Sequence, residues 1–345
     1  MDHIGIDVHK KESQICILKE EGEVIERRIR TDRERLAVML KDRPPARVLI
    51  EASTESEWVA RCIEALGHEV IVADPNFAAM YATRSRRVKT DKRDARTLAE
   101  ACQLGAYRPA HRLGDARRHL KAQVAVREAL VQTRTRYISV VGAVLRRQGL
   151  RVASGGAEGF IGRVKQIGLT GQQLSEVGPL LAVLLHVNRQ IVFLDSVLER
   201  LARHHPELER LCTVPSVGPV TAAAFVATVD QASRFKNAHQ LEAYLGLVPS
   251  EMSSGEKQHR GRITKAGDTR VRRLLVQVAL STMRLRNPRT VALRAWAINV
   301  GHRRGQRMAA VALARRLAGI HFAMMRDGTT FKPLPLPECR MQQAA

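Results

Sequence analysis

Acidic residues, paired cysteines and aromatics are what this 345-residue chain has little of, and each shortage excludes something. The five cysteines (Cys16, Cys62, Cys102, Cys212, Cys339) are scattered without a CxxC pair. That excludes a zinc cluster or a disulfide framework and fits a reducing compartment. Aromatics make up 4% of the chain, too few to give its basic segments the Trp- and Phe-rich face that enters a membrane surface. No stretch reaches the roughly 18–20 uncharged apolar residues of a membrane span. The opening Met-Asp-His-Ile-Gly-Ile-Asp reads as strand rather than signal peptide. A hydrophobic fraction of 45% is too high for a wholly disordered basic protein. At roughly 100–200 residues per domain, the length predicts two or three domains, and a cytoplasmic protein is expected.

The shortage of acid is regional. Lys and Arg number 57 against 34 Asp and Glu, a net charge of +23. Residues 1–110 hold 20 basic and 19 acidic side chains, whereas 111–345 hold 37 and 15. Residues 257–326 carry 17 basic side chains and one acid, Asp268. Such a density repels itself unless a polyanion compensates it. Each neutralised phosphate releases condensed counterions, so nucleic acid is the expected partner.

In residues 1–110 the pattern predicts strands at Ile4–His9, Glu12–Lys19 and Glu23–Arg30, a helix over Asp32–Leu40, and a strand at Arg47–Ala52. A helix over Ser56–Leu66 and a strand at Glu69–Ala73 follow. Three strands followed by alternating helix and strand imply an α/β domain with a mixed sheet. Asp7 lies inside an apolar strand and Glu51 at the end of another, where a carboxylate is costly unless paired or bound to metal. After Thr90, a good N-cap, Asp91 and Asp94 stand three apart on one helical face. Four acids could hold two Mg²⁺ ions in the arrangement used for phosphoryl transfer.

Residues 111–205 read as two long helices, Asp115–Leu150 and Pro179–Arg203, which suggest an antiparallel hairpin or coiled-coil-like arm acting as linker and oligomerisation region, with an ordinary core pair inside one domain as the alternative. In residues 206–330, Val214–Ala222 (VPSVGPVTA) suits a helix-hairpin-helix element presenting backbone N–H groups to a phosphate, with Gly218 before the second helix. Ser216 stands where that turn usually has glycine. Ser253-Ser254-Gly255 then sits among cationic residues. A hydroxyl there could attack a phosphodiester with Arg and Lys neutralising the transition state, but Ser-Gly turns are also common without chemistry. His259 reads as either a base or a phosphate contact. The tail, 331–345, is Pro-rich (Pro333, Pro335, Pro337).

Taken in order, GIDVHK (5–10), IEAS (50–53), KTDKRDA (89–95), VPSVGPVTA (214–222) and YLGLVPSEMSSGEKQHRGRITKAGDTRVRRLL (244–275) resemble the DEDD transposases of the insertion-sequence 110/1111 family over nearly the whole chain. The resemblance implies a ribonuclease H-like (RuvC-like) N-terminal domain and a mostly helical C-terminal transposase domain. It implies a prokaryotic, nucleoid-associated recombinase that acts on donor and target DNA under the guidance of a structured noncoding bridge RNA. Asp7, Glu51, Asp91 and Asp94 then correspond to a Mg²⁺ tetrad, with Mn²⁺ a possible substitute. Ser254, beside Ser253, corresponds to a nucleophile forming a transient phosphoserine–DNA link. The family also implies a tetramer, a dimer of dimers, in which one subunit's acidic domain completes another's serine site. Gly218, Lys257, Arg260, Arg262, Lys265, Arg270, Arg272 and Arg273 are the expected nucleic-acid contacts. Two alternatives stay open: a metal-dependent, junction-resolving endonuclease that uses water, and a non-catalytic nucleic-acid-binding relic.

Overall fold

The structure, a computed structural model, describes residues 1–82, 90–254 and 257–333, with the side chains of 252–260 outside the description. Lys89, Gly255, Pro335, Pro337 and Cys339 lie outside the described residues. Two compact units divide the chain, Met1–Leu113 and Gly114–Ala345.

The first unit is built on a five-stranded sheet of order β3-β2-β1-β4-β5. Its strands are β1 (His3–Val8), β2 (Glu12–Leu18), β3 (Val24–Arg30), β4 (Arg47–Glu51) and β5 (Glu69–Ala73). β1 to β3 form an antiparallel meander, while β4 and β5 run parallel to β1. Successive side chains alternate between the two faces of a strand, and the sequence exploits this. Ile4, Ile6, Ile15, Ile17, Val48 and Ile50 pack with residues of α1 (Arg33–Leu40) and α2 (Ser56–Glu64). The opposite parity, with Cys16 and Leu49, packs against α3 (Asp91–Leu104). Three early strands, a mixed sheet and flanking helices match the expectation drawn from the sequence.

The second unit is mostly helical. α4 (Asp115–Arg147) and α6 (Gly171–His204) run antiparallel, with α5 (Phe160–Lys165) between them in sequence. Contacts descend along α6 as they ascend along α4. Leu120 and Val124 share a cluster with Leu198 and Ala202, Arg127 pairs with Asp195, and Val141 and Leu145 pack with Val177, Leu181 and Leu184. At 1.5 Å per residue the pair extends about 50 Å. Its base joins the core formed by α7 (Pro206–Cys212), α8 (Pro219–Val229), α9 (Ala238–Tyr244), α10 (Thr269–Arg284), α11 (Val291–Arg304) and α12 (Gln306–Asp327). Between α9 and α10, β6 (Pro249–Ser254) and β7 (Lys257–Ile263) make a two-stranded antiparallel hairpin.

One expectation changes here. The second long helix begins at Gly171 instead of Pro179, because Thr170 and Gln173 form a reciprocal capping box that starts it earlier. Pro179 therefore lies inside the helix, and the ring costs about 3 kcal/mol there, offset by packing of Val177, Leu181 and Leu184 on either side. Also, α6 and α12 are long and apolar enough to cross a membrane by length and composition, although charges interrupt both. Half of the α12 segment is buried inside this unit, whereas only 22% of the α6 segment is. The outer side of α6 exposes Leu174, Val183, Leu185, Val192 and Phe193.

Candidate active site and nucleic-acid face

Parity and one glycine assemble the carboxylates. Asp7 follows Gly5 by two positions in β1, and Glu51 follows Leu49 by two in β4, so both belong to the face covered by α3. Ile6 and Ile50 are paired in the parallel register, which places Asp7 and Glu51 at the carboxyl ends of neighbouring strands. A Cβ on Gly5 would fall on the backbone of Ala95 and Ala99 and lie 2.8 Å from the carbonyl carbon of Leu98. Glycine thus lets the α3 backbone rest directly on β1. The Thr90 side chain accepts from the Arg93 amide and fixes the start of α3, bringing Asp91 and Asp94 in its first turn to Asp7.

The electrostatics record the gathering. Asp7 has a side chain 14% exposed, and burial pushes its carboxyl above the usual range. His9 opposes that shift, while Asp94, Asp91 and Glu51 each add to it. All four predicted acids therefore act on one locus. Their donor set, hard carboxylate oxygens with too much negative charge for a half-buried place, suits a divalent cation. His9 was not singled out from sequence. Its Nε2 lies 3.2 Å from Oδ2 of Asp7 and 3.6 Å from Oδ1 of Asp91. The signal was available, since position 9 has the parity of position 7.

By contrast, His68 is buried for structural reasons. Its Nδ1 accepts from the Ala46 amide and its Nε2 donates to the Leu40 carbonyl.

In the second unit, residues 213–218 form the turn from α7 to α8. Ser216 has φ 71°, the left-handed conformation that glycine adopts more cheaply. Gly218 precedes Pro219 at the first helical position, and the space around Gly218 is open. Ser254 closes β6 opposite Lys257, and Met252 pairs with His259. The cationic segment Lys257–Ile263 is thus strand. The side chains of Ser253, Ser254, Lys257, His259 and Arg260 lie outside the described residues.

The remaining cations divide sharply. Arg262 and Lys265 are exposed. Arg270 is half-buried at the start of α10, where Asp268 accepts from the Arg270 and Val271 amides. Arg273 pairs with Glu128 of α4. Arg272 is buried, and its guanidinium donates to the carbonyls of Leu245, Ala266 and Gly267 and to Oγ1 of Thr269. It clasps the loop before α10 onto the end of α9. Gly246 and Gly267, both at positive φ, admit the close backbone approach this requires. With its donors directed inward, Arg272 is a structural residue rather than the phosphate contact expected from the arginine run.

The comparisons with known proteins fall on the same two regions. A family model for IS110-type DEDD proteins, described as "Transposase", matches residues 4–148. Another, described as "Transposase IS116/IS110/IS902 family", matches 208–293. The chain is similar to a probable family 20 transposase of Pseudomonas aeruginosa, 29% identical over 96% of this chain and 99% of that one. It is 27% identical to the transposase for insertion sequence element IS1111A of Coxiella burnetii, over 95% and 91% of the two chains. The transposase for insertion sequence element IS1328 of Yersinia enterocolitica is also 27% identical, over 95% and 98%.

Proposed function

The chain belongs to the IS110 family of DEDD transposases, and we propose that it cuts and rejoins DNA through Ser254 and a divalent-cation site formed by Asp7, Glu51, Asp91 and Asp94. The observation that carries this reading is the convergence of all four acids on the end of β1. The sheet order, with three antiparallel strands followed by two parallel to the first, supports a ribonuclease H-like fold for residues 1–110. In this reading the arm, 111–205, is the oligomerisation element, and its exposed apolar side on α6 supports a homo-oligomer built as a dimer of dimers. Residues 206–330 form the transposase domain.

The chemistry is transesterification. The Ser254 hydroxyl attacks phosphorus, a P–Oγ bond forms, and a P–O bond to deoxyribose breaks. The departing oxygen takes up a proton as a hydroxyl. Rejoining is the reverse with a new strand's hydroxyl, and because the phosphodiester energy is kept in the phosphoserine link, no ATP is required. A cation such as Mg²⁺, when bound, supplies Lewis-acid stabilisation of the phosphoryl oxygens. Asp7, half-buried among like charges, would hold it together with Glu51, and Asp91 and Asp94 would hold it from α3. The exposed Arg262 and Lys265, and the open turn at Gly218, face nucleic acid. Target choice lies with a guide RNA paired to DNA, so the protein reads backbone rather than bases.

A covalent-adduct experiment tests this. Full-length protein is mixed with element-encoded RNA, Mg²⁺ and labelled donor and target DNA, then resolved under denaturing conditions. A labelled protein–DNA band is expected, lost in Ser254→Ala and Asp7→Asn and kept in Ser253→Ala. Cleavage without an adduct would replace the serine mechanism with metal-activated water.

A further inference from the structure

The carboxylate site carries a nitrogen donor that the DEDD pattern does not contain. His9 Nε2, Asp7 Oδ2 and Asp91 Oδ1 belong to a group whose candidate ligand atoms all lie within 4.8 Å of one another. Neighbouring ligands around an octahedral ion of this size sit about 3 Å apart. The imidazole, at 3.2 Å and 3.6 Å from the two carboxylate oxygens, therefore needs little movement to join such a set. Its backbone is held as well. The Thr31 hydroxyl donates to the His9 carbonyl at 2.8 Å and is itself bonded to the Ser13 hydroxyl at 2.8 Å. The Thr31 amide donates to the Lys11 carbonyl at 2.9 Å. These bonds tie the β1–β2 turn to the end of β3 and present the ring toward the carboxylates, while Thr90 fixes Asp91 from the opposite side.

We propose that His9 is a side-chain ligand of the cation held at Asp7 and Asp91, and that it tilts the site from Mg²⁺ toward Mn²⁺. The inference rests on the carboxylate reading above. Mg²⁺ favours an all-oxygen shell and parts with water reluctantly. Imidazole suits first-row transition ions, among which Mn²⁺ also accepts carboxylate and water. A site of two carboxylates and one imidazole therefore sorts cations by their tolerance of nitrogen. His9 is half-exposed, at 55%, so it stands at the mouth of the site where it can swing onto an arriving ion without breaking the core.

Metal binding by the full-length protein, measured without DNA, tests the proposal. Mn²⁺ and Mg²⁺ affinities come from calorimetry, and pulsed electron paramagnetic resonance of bound Mn²⁺ reads nitrogen coupling directly. Wild type should bind Mn²⁺ more tightly than Mg²⁺ and show imidazole coupling. His9→Gln should remove the coupling and weaken Mn²⁺ about 10–100-fold, the range seen when ligand support is lost, with Mg²⁺ affinity and thermal stability nearly unchanged. Coupling that survives His9→Gln, or an unchanged Mn²⁺/Mg²⁺ ratio, overturns the ligand assignment. Asp7→Asn separates that failure from failure of the underlying site. If Asp7→Asn abolishes Mn²⁺ binding, the carboxylate site stands without His9. Undiminished binding in Asp7→Asn overturns both.

Discussion

The N-terminal and C-terminal units handle charge in opposite ways. In the first, cations meet acids of the same unit: Arg112 bridges Glu57 and Glu64, Arg108 pairs with Asp74, Arg47 with Glu69 and Lys92 with Glu26. The exception is the Asp7 locus, where like charges are gathered. In the second, acids are too few for such matching, and arginine serves several purposes. Arg117 reaches Glu207 and Asp230, Arg127 reaches Asp195, and Arg272 holds backbone carbonyls with no acid involved. A basic sequence is therefore not equivalent to a basic ligand face. Part of the excess holds helices together, and only what remains exposed is free for phosphate.

Substituting the two kinds of arginine should break this contrast most clearly. Arg272→Ala removes a buried set of charge-assisted bonds and leaves carbonyls unsatisfied, at a cost of about 4 kcal/mol, read as a large fall in denaturation midpoint. Its salt dependence of DNA binding should stay as in wild type wherever the protein is still folded.

Acid should act on the second unit next. His321 is fully buried against Phe225, its Nδ1 donates to the Leu317 carbonyl, and burial pushes its pKa down to about 4. Because the folded value lies below the unfolded one, the unfolded chain binds more protons between the two. Stability is then full above about pH 6.5 and falls as pH drops toward 4, by about 3 kcal/mol in all. Denaturant melts of wild type and His321→Phe across that window measure it, and the variant should lack this component.

A smaller loss is expected from Gly5→Ala in the first unit. Forcing α3 off β1 costs about 2 kcal/mol of overpacking and separates Asp91 and Asp94 from Asp7, so DNA cleavage should fall further than stability does. Smallest is Arg262→Ala, exposed on β7. Thermal stability should change by less than about 0.5 kcal/mol, while the slope of log affinity against log salt falls by about 1. An unchanged slope would take Arg262 out of the nucleic-acid face.

Much of the first unit was legible because strand parity is a local property. Apolar runs broken by Asp7 and Glu51 announced both the strands and the anomaly within them, and Thr90 announced α3. His9 was passed over although it shares the parity of Asp7. In the second unit the arm was legible from its apolar spacing, but its start was misplaced because Pro179 outweighed the weaker Thr170–Gln173 cap. The arginine run at 270–273 gave charge without direction. Only the return of the loop before α10 to the end of α9 turned Arg272 inward, while Arg273 went to Glu128 and Arg270 stayed half-covered. Ser216 was marked as a departure from glycine, and its left-handed backbone was a matter for the turn it closes.

Sequence alone determined which residues alternate, which segments are helical, where acid is scarce and which four carboxylates stand out from their surroundings, because each depends on neighbours within a few positions. Tertiary structure decided how closely α3 rests on Gly5, which charges are used up in the interior, and that an imidazole joins the carboxylates. Those depend on contacts between residues far apart in the chain, where the space left by one missing side chain governs what can meet.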